Sequence, residues 1–224
     1  MAGDNKTDVL VFDFDGTLID SAPGILDAFA AALRETGVAP CVALDVNLIG
    51  PPLTETLMRL GGSDDPALVS ALTEKFKHHY DSHGVATTAA YAGVDAMLDS
   101  FVAHGIELHI ATNKRLSVTH AILEQLGWTE RFASVYALDM VAPRLPGKAQ
   151  LLSKQIGELN LDKTRTAYIG DKREDGHAAG DNGLKFYYAS WGYGDVLRDQ
   201  MNAGWHWLST PADLCLQNVA LLAD

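Results

Sequence analysis

Short apolar runs recur along the chain. They are "DVLVFD" (8–13), "IELHIAT" (106–112), "SVYALD" (134–139), "TAYIGD" (166–171) and "LKFYYA" (184–189). Each is rich in β-favouring side chains, and several stop at a polar or acidic residue. Runs of this length without alternation are the pattern of strands buried on both faces. Between them the apolar spacing becomes helical. Val94, Met97, Leu98, Phe101 and Val102 fall on one face, as do Thr119, Ile122, Leu123 and Leu126, with Gly127 as a stop. Strands alternating with helices predict a parallel sheet covered on both faces. "WHWLS" (205–209) predicts an edge strand, followed by a last helix at about 211–222.

Residues 19–87 break this alternation. Ile25, Leu26, Phe29, Ala30 and Leu33 form one amphipathic face, and Leu68, Val69, Leu72, Phe76 and Tyr80 another. "GPPLTETLMRLGG" has the form of a short helix opened by proline and closed by glycine. The segment predicts a small helical bundle inserted after the first strand, with "HGVATTAAYAGV" as the return linker. The fold class is therefore α/β: a Rossmann-like parallel-sheet core, residues 1–18 and 88–224, carrying an inserted α-helical bundle at 19–87.

Composition narrows the partners. The 224 residues are 47% hydrophobic, enough for a packed core, and the formal net charge is −12. Nucleic acid and anionic membrane both need clustered Lys and Arg, so neither is an expected partner. An anionic ligand would need a metal ion or a few placed cations to reverse the local field. Cys41 and Cys215 make neither a CxxC pair nor a zinc spacing. No apolar run approaches the ~20 residues of a membrane span. "MAGDNKTD" lacks the apolar core of a signal peptide. A soluble, cytoplasmic protein, monomer or homodimer, is expected.

The first strand ends in two acids, Asp13 and Asp15, followed by Gly16 and Thr17. In an extended segment the two carboxylates point the same way, with Phe12 and Phe14 opposite. Sharing one site raises one pKa, which a divalent cation relieves. Mg²⁺ favours such oxygen ligands, often one or two carboxylates with phosphate and water. Ligands of open α/β sheets sit beyond the carboxyl ends of strands, where this pair lies. The bland alternative is a DG hairpin turn, but the "ILDAFAAAL" that follows is helical.

"DFDGTLIDS" resembles the first signature of the haloacid dehalogenase-like (HAD) hydrolase superfamily, in its phosphatase form DxDGT. "IATNK" (110–114), Lys148 and "IGDKRED" (169–175) resemble the remaining signatures and follow in order. The similarity spans about residue 8 to residue 215 and includes the helical insert, which corresponds to the family's cap. "IGPPLTETL" and "WGYGDVLRD" resemble the phosphoglycolate phosphatase-like members.

The resemblance implies roles. Asp13 would be the nucleophile forming an aspartyl-phosphate, and Asp15 the general acid and base. Gly16, Thr17, Thr112 and Asn113 would bind the phosphate. Lys148 would neutralise the phosphate and Asp13, with Lys114, Arg144 and Lys154 as competing cations. Asp13, the backbone carbonyl of Asp15, and Asp171 would hold Mg²⁺, and Asp175 would orient metal-bound water. Each has a plainer reading. Thr112 could cap the helix near 116, Lys148 could be solvated, and Glu174 and Asp175 could simply favour a helix dipole. His78 and His79 are expected to be solvated, Trp191 and Tyr193 to pack, and His177 to lie at the surface, although His177, Arg59 and the Gly50–Pro52 turn could also meet the substrate. The implied activity is Mg²⁺-dependent hydrolysis of a small phosphorylated metabolite, with the cap closing over the core. The alternatives are a phosphomutase, a phospho-acceptor signalling domain and an inactive binding module.

Overall fold

The computed structural model describes residues 7–194 and 196–214. It divides into two compact units, one comprising residues up to Ile19 and from Ala90 onward, the other Asp20–Ala89.

In chain order the helices are α1 (Ala22–Thr36), α2 (Leu53–Gly61), α3 (Pro66–His79), α4 (Val94–Ala103), α5 (Leu116–Gln125), α6 (Lys148–Leu159) and α7 (Arg173–Asn182). The principal strands are β1 (Val9–Phe12), β2 (Glu107–Thr112), β3 (Ser134–Ala137), β4 (Thr166–Gly170), β5 (Lys185–Ala189) and β6 (Trp205–Leu208). They form one sheet in the order β3-β2-β1-β4-β5-β6, parallel throughout. Leu10, Val11, Phe12, Ile110, Ala111, Ala167, Tyr168 and Ile169 are completely buried. Burial on both faces is why these strands read as unbroken apolar runs.

The strand order reverses direction at β1, which has β2 on one side and β4 on the other. Such a reversal opens a crevice at the carboxyl ends of the strands. Register determines what lines it. Phe12 pairs with Ile110 on β2 and with Ile169 on β4. Asp13 thus comes level with Gly170, and Asp171 lies one residue further out.

The helical unit contains α1 to α3, and α3 runs on into a π-helical turn, Tyr80–Gly84. Pro23 and Gly37 bound α1, Pro52 and Gly62 bound α2, and the Asp65 carboxylate accepts the N–H of Ala67 at the start of α3. Phe29 of α1 meets Phe76 of α3 at 4.6 Å between ring centroids.

Three details differ from the sequence pattern. Val102 is 46% exposed, because the packed stripe of α4 is Val94, Met97, Leu98 and Phe101 and Val102 falls beyond its edge. On α1, Leu26 and Ala30 are only half-buried, whereas Ala28 and Ala32 pack beside Ile25, Phe29 and Leu33. Small side chains allow close approach, and a pattern drawn from the large residues overlooks them. Pro211–Asp213 is a 3₁₀ turn rather than the start of a helix. The rest of the expected last helix and Cys215 lie outside the described residues. Among the described residues, no helix is long and apolar enough to cross a membrane.

Candidate active site

Asp13 follows β1 directly and is 5% exposed. Its N–H bonds the Ile169 carbonyl at 2.8 Å, extending the β1–β4 ladder by one residue. Asp171 follows β4 and is completely buried, and Asp175 occupies the first turn of α7 with the same burial. One carboxylate oxygen from each of Asp13, Asp171 and Asp175 lies within 4.8 Å of the others.

Lys148 is the first residue of α6 and is 3% exposed. Its ammonium lies 3.0 Å from Asp13 Oδ2 and 2.6 Å from Asp175 Oδ1. Of the competing cations, Arg144 is exposed, Lys154 pairs with Glu158 along its own helix, and Lys114 pairs with Asp15.

The electrostatics follow from this crowding. Burial pushes the Asp13 carboxyl up to about 7, against the pull of Lys148 and with the push of Asp175. Burial, with Asp175 and Asp13 beside it, holds Asp171 well above the usual carboxylate range. Burial alone would lower Lys148, but Asp13 and Asp175 outweigh it and hold the ammonium charged well above its ordinary range. Three carboxylates and one ammonium leave two negative charges when all are ionised. The all-oxygen donor set and this residual charge fit a divalent cation of the Mg²⁺ class.

The two acids of the opening motif do not share one side-chain site. Asp13 faces Lys148, while Asp15 Oδ1 accepts from Lys114 Nζ at 2.9 Å. Their mutual repulsion is relieved by two different lysines. The Asp15 carboxylate is outside the acidic cluster, so any metal contact from this residue falls to its backbone carbonyl.

Asp175 has two jobs. Oδ2 accepts the Lys172 N–H at 2.9 Å at the start of α7, while Oδ1 accepts from Lys148 and, at 3.2 Å, from the Tyr168 hydroxyl. Asp175 therefore both stands at the start of α7 and belongs to the carboxylate cluster.

Thr17 is completely buried, with its hydroxyl 3.5 Å from Asp171 Oδ1. Thr112 Oγ1 accepts the Lys114 N–H at 3.1 Å, so it is not the cap of α5, where the Leu116 N–H bonds Asp139 instead. The Thr112 O–H retains its capacity to donate. Asn113 Nδ2 reaches Glu174 Oε2 at 3.4 Å. Gly16 has φ +83, and a Cβ there would overlap the Asp171 carboxylate.

Sequence reasoning noted "WGYGDVLRD" but missed the contacts this loop makes with the site. Trp191 Nε1 donates to the Thr17 carbonyl at 3.0 Å, and the Tyr193 N–H donates to Asp171 Oδ2 at 2.9 Å. A Cβ on Gly192 would overlap the Gly16 carbonyl oxygen. Lys172 Nζ holds the Tyr193 carbonyl at 2.9 Å. The signal was the glycine spacing of "WGYG" directly after β5. Elsewhere, exposed His177 lies edge-on to Trp205 and His79 pairs with Glu35.

Residues 10–189 match the haloacid dehalogenase-like hydrolase family. The chain belongs to that family. It is 32% identical over 187 residues to the phosphoglycolate phosphatase of Xylella fastidiosa, covering 82% of this chain and 80% of that protein. It is 30% identical over 189 residues to the tyrosine-protein kinase PtkA of Mycobacterium tuberculosis. That match covers 83% of this chain but only 63% of PtkA, so the chain spans less than two thirds of that relative. In fold it resembles a predicted phosphatase from Clostridium acetobutylicum, with a TM-score of 0.84, 23% identity, and 96% and 98% of the two chains covered.

Proposed function

We propose that this HAD-family hydrolase is a Mg²⁺-dependent phosphatase acting on a small phosphate monoester through a phosphoryl group carried on Asp13. The observation that carries this reading is the buried Asp13 carboxylate, set 3.0 Å from Lys148 among the carboxylates of Asp171 and Asp175. A nucleophilic carboxylate must meet an anionic phosphate, and fixed positive charge lowers the cost of that encounter.

In the first step an Asp13 oxygen bonds to phosphorus and the ester P–O bond breaks. Asp15 gives its proton to the departing oxygen. In the second, Asp15 takes a proton from water, whose oxygen bonds to phosphorus as the Asp13–phosphorus bond breaks. Phosphate leaves and both aspartates are restored. Thr112 and the Asn113 N–H donate to the phosphate oxygens, Gly16 and Thr17 shape the loop beside them, and Lys148 balances charge throughout. Asp13, the Asp15 carbonyl and Asp171, with Asp175 behind them, would hold Mg²⁺, which when bound supplies charge neutralisation to the phosphoryl group.

Similarity to phosphoglycolate phosphatases supports a small acid such as glycolate as the leaving group, with nucleotide and sugar phosphates as the wider class. In this reading the larger unit would serve as the core and the helical unit as the cap. The test is phosphate release from a panel of such esters, with Mg²⁺ and with EDTA, beside Asp13→Asn. Release that needs the metal and is lost in the variant supports the reading. Release that persists in the variant removes Asp13 as nucleophile.

A second reading rests on the PtkA similarity: the phosphoryl group would pass to an acceptor hydroxyl rather than to water. Label transfer from ATP onto protein tyrosine, with negligible release of free phosphate, would favour it.

A further inference from the structure

The Lys114–Asp15 pair joins two loops at the carboxyl end of the sheet, one following β1 and the other following β2. Nζ lies 2.9 Å from Oδ1, and the two side chains are only 6% and 13% exposed. Both ends are anchored. The Lys114 N–H bonds Thr112 Oγ1, fixing where the lysine leaves the strand. Asp15 stands at the start of a tight turn in which the N–H groups of Leu18 and Ile19 return to the Phe14 carbonyl at 3.0 and 3.1 Å, and the Gly16 N–H bonds the Ile19 carbonyl at 2.9 Å. An exposed Lys–Asp pair gains little, since both side chains stay mobile in water. Here both are enclosed and held from the backbone, so the hydrogen bond from Lys114 Nζ to Oδ1 fixes the rotation of the Asp15 carboxyl.

Orientation is what a proton carrier needs. Asp15 must bring its carboxyl within about 3 Å of the departing oxygen, in one geometry, for proton transfer to accompany bond breaking. Asp13 and Asp15 are one residue apart, and a lone cation between them would serve both poorly. The structure instead gives Lys148 to Asp13 and Lys114 to Asp15.

We propose that Lys114 is a positioning residue that fixes the Asp15 carboxyl for proton delivery to the leaving group. This rests on the phosphatase reading above. The role predicts a selective defect. An alkyl phosphate expels a poor leaving group and needs the proton, whereas p-nitrophenyl phosphate expels a stable phenolate and does not.

The experiment measures kcat/KM, which reports steps through departure of the leaving group, for wild type, Lys114→Met, Lys114→Arg, Asp15→Asn and the Asp15→Asn/Lys114→Met double variant. The substrates are p-nitrophenyl phosphate and 2-phosphoglycolate, or another alkyl phosphate that the wild type hydrolyses. Lys114→Met is expected to lose about 30–100-fold on the alkyl phosphate, within the usual share of general acid catalysis, and less than about threefold on the aryl one. Lys114→Arg should recover most of the loss, and Lys114→Met should add nothing to Asp15→Asn. Equal losses on both substrates, additive losses in the double variant, or no loss would overturn the inference. If Lys114→Met does not fold, Lys114→Gln is judged by the same criteria. Wild type inactive on every ester would sink the phosphatase reading itself. Wild type active only on the aryl ester would leave the active site without a working proton donor and sink this inference alone.

Discussion

The Lys148 ammonium lies 2.6 Å from Asp175 Oδ1 and also contacts Asp13 at 3.0 Å. One buried cation from the start of α6 thus joins the acid following β1 to the acid in the first turn of α7. It offsets like charges that burial would otherwise make costly.

Lys148→Met tests that linkage. Metal-free protein is expected to lose about 3–5 kcal/mol of stability above pH 7, the usual cost of leaving a buried charge unpaired. Near pH 5.5 the loss should be smaller, because a proton on one carboxyl takes over the role of the ammonium. Turnover should fall by about 10²–10³-fold, as when a fixed electrostatic group is removed. Denaturant unfolding at the two pH values and steady-state kinetics check this.

Asp13 gives the metal-free protein a pH dependence of definite sign. Its pKa rises from 3.8 to about 7 on folding, chiefly through burial. Between those values the folded state holds a proton that the unfolded state lacks, so stability falls as pH rises towards 7. The raised pKa of Asp171 acts in the same direction. Buried His109 opposes them at lower pH: burial lowers its pKa from 6.5, so its contribution is lost as pH falls below that value. EDTA-treated protein should therefore melt higher at pH 6.5 than at pH 8, by about 2–4 °C for each kcal/mol. Mg²⁺ should raise the melting temperature more at pH 8, where fewer protons compete for its ligands. A larger shift at pH 6.5 would contradict the assignment.

Gly192→Ala should disturb the carboxylate cluster from the neighbouring loop, because the added methyl would crowd both the Gly16 carbonyl and the Asp171 side chain. The added methyl collides with the Gly16 carbonyl, and backbone cannot yield as a side-chain tip can. The loop must move, taking the Tyr193 N–H away from Asp171. Weaker Mg²⁺ binding, by about 10–100-fold as for other outer contacts of a metal site, is expected with an unchanged far-ultraviolet circular dichroism spectrum. Calorimetric titration of Mg²⁺ measures it.

Tyr168→Phe removes a hydroxyl lying 3.1 Å from the Ala111 carbonyl and 3.2 Å from Asp175 Oδ1. Lys148 and the Lys172 N–H still hold Asp175. A stability loss of about 1–2 kcal/mol is expected, with activity reduced by less than about tenfold. A larger kinetic loss would mean that the hydroxyl does more than orient Asp175.

The acids at the ends of β1 and β4 were legible because an apolar run that stops at a carboxylate marks a buried parallel strand reaching the surface of the sheet. Lys148 was legible only through the resemblance to the family's ordered signatures, with Lys114, Arg144 and Lys154 as competing cations. The partner of Lys114 was not, because which loop cation reaches which acid depends on β1 lying between β2 and β4, and sequence order does not reveal that neighbourhood. The contacts of the 190–194 loop were hidden for another reason. They are made largely by backbone N–H and carbonyl groups, which every residue carries, and only the glycines that permit the close approach leave a mark.

The most direct test of the account is to quench the enzyme in acid during turnover of a phosphate-labelled substrate with Mg²⁺, then locate the label by peptide mass spectrometry. The account predicts labelled phosphate on Asp13, labile to hydroxylamine and absent from Asp13→Asn. Wild-type turnover with label on another residue, or with none trapped even from labelled p-nitrophenyl phosphate, whose leaving group needs no proton, when Asp15→Asn slows the second step, would contradict it.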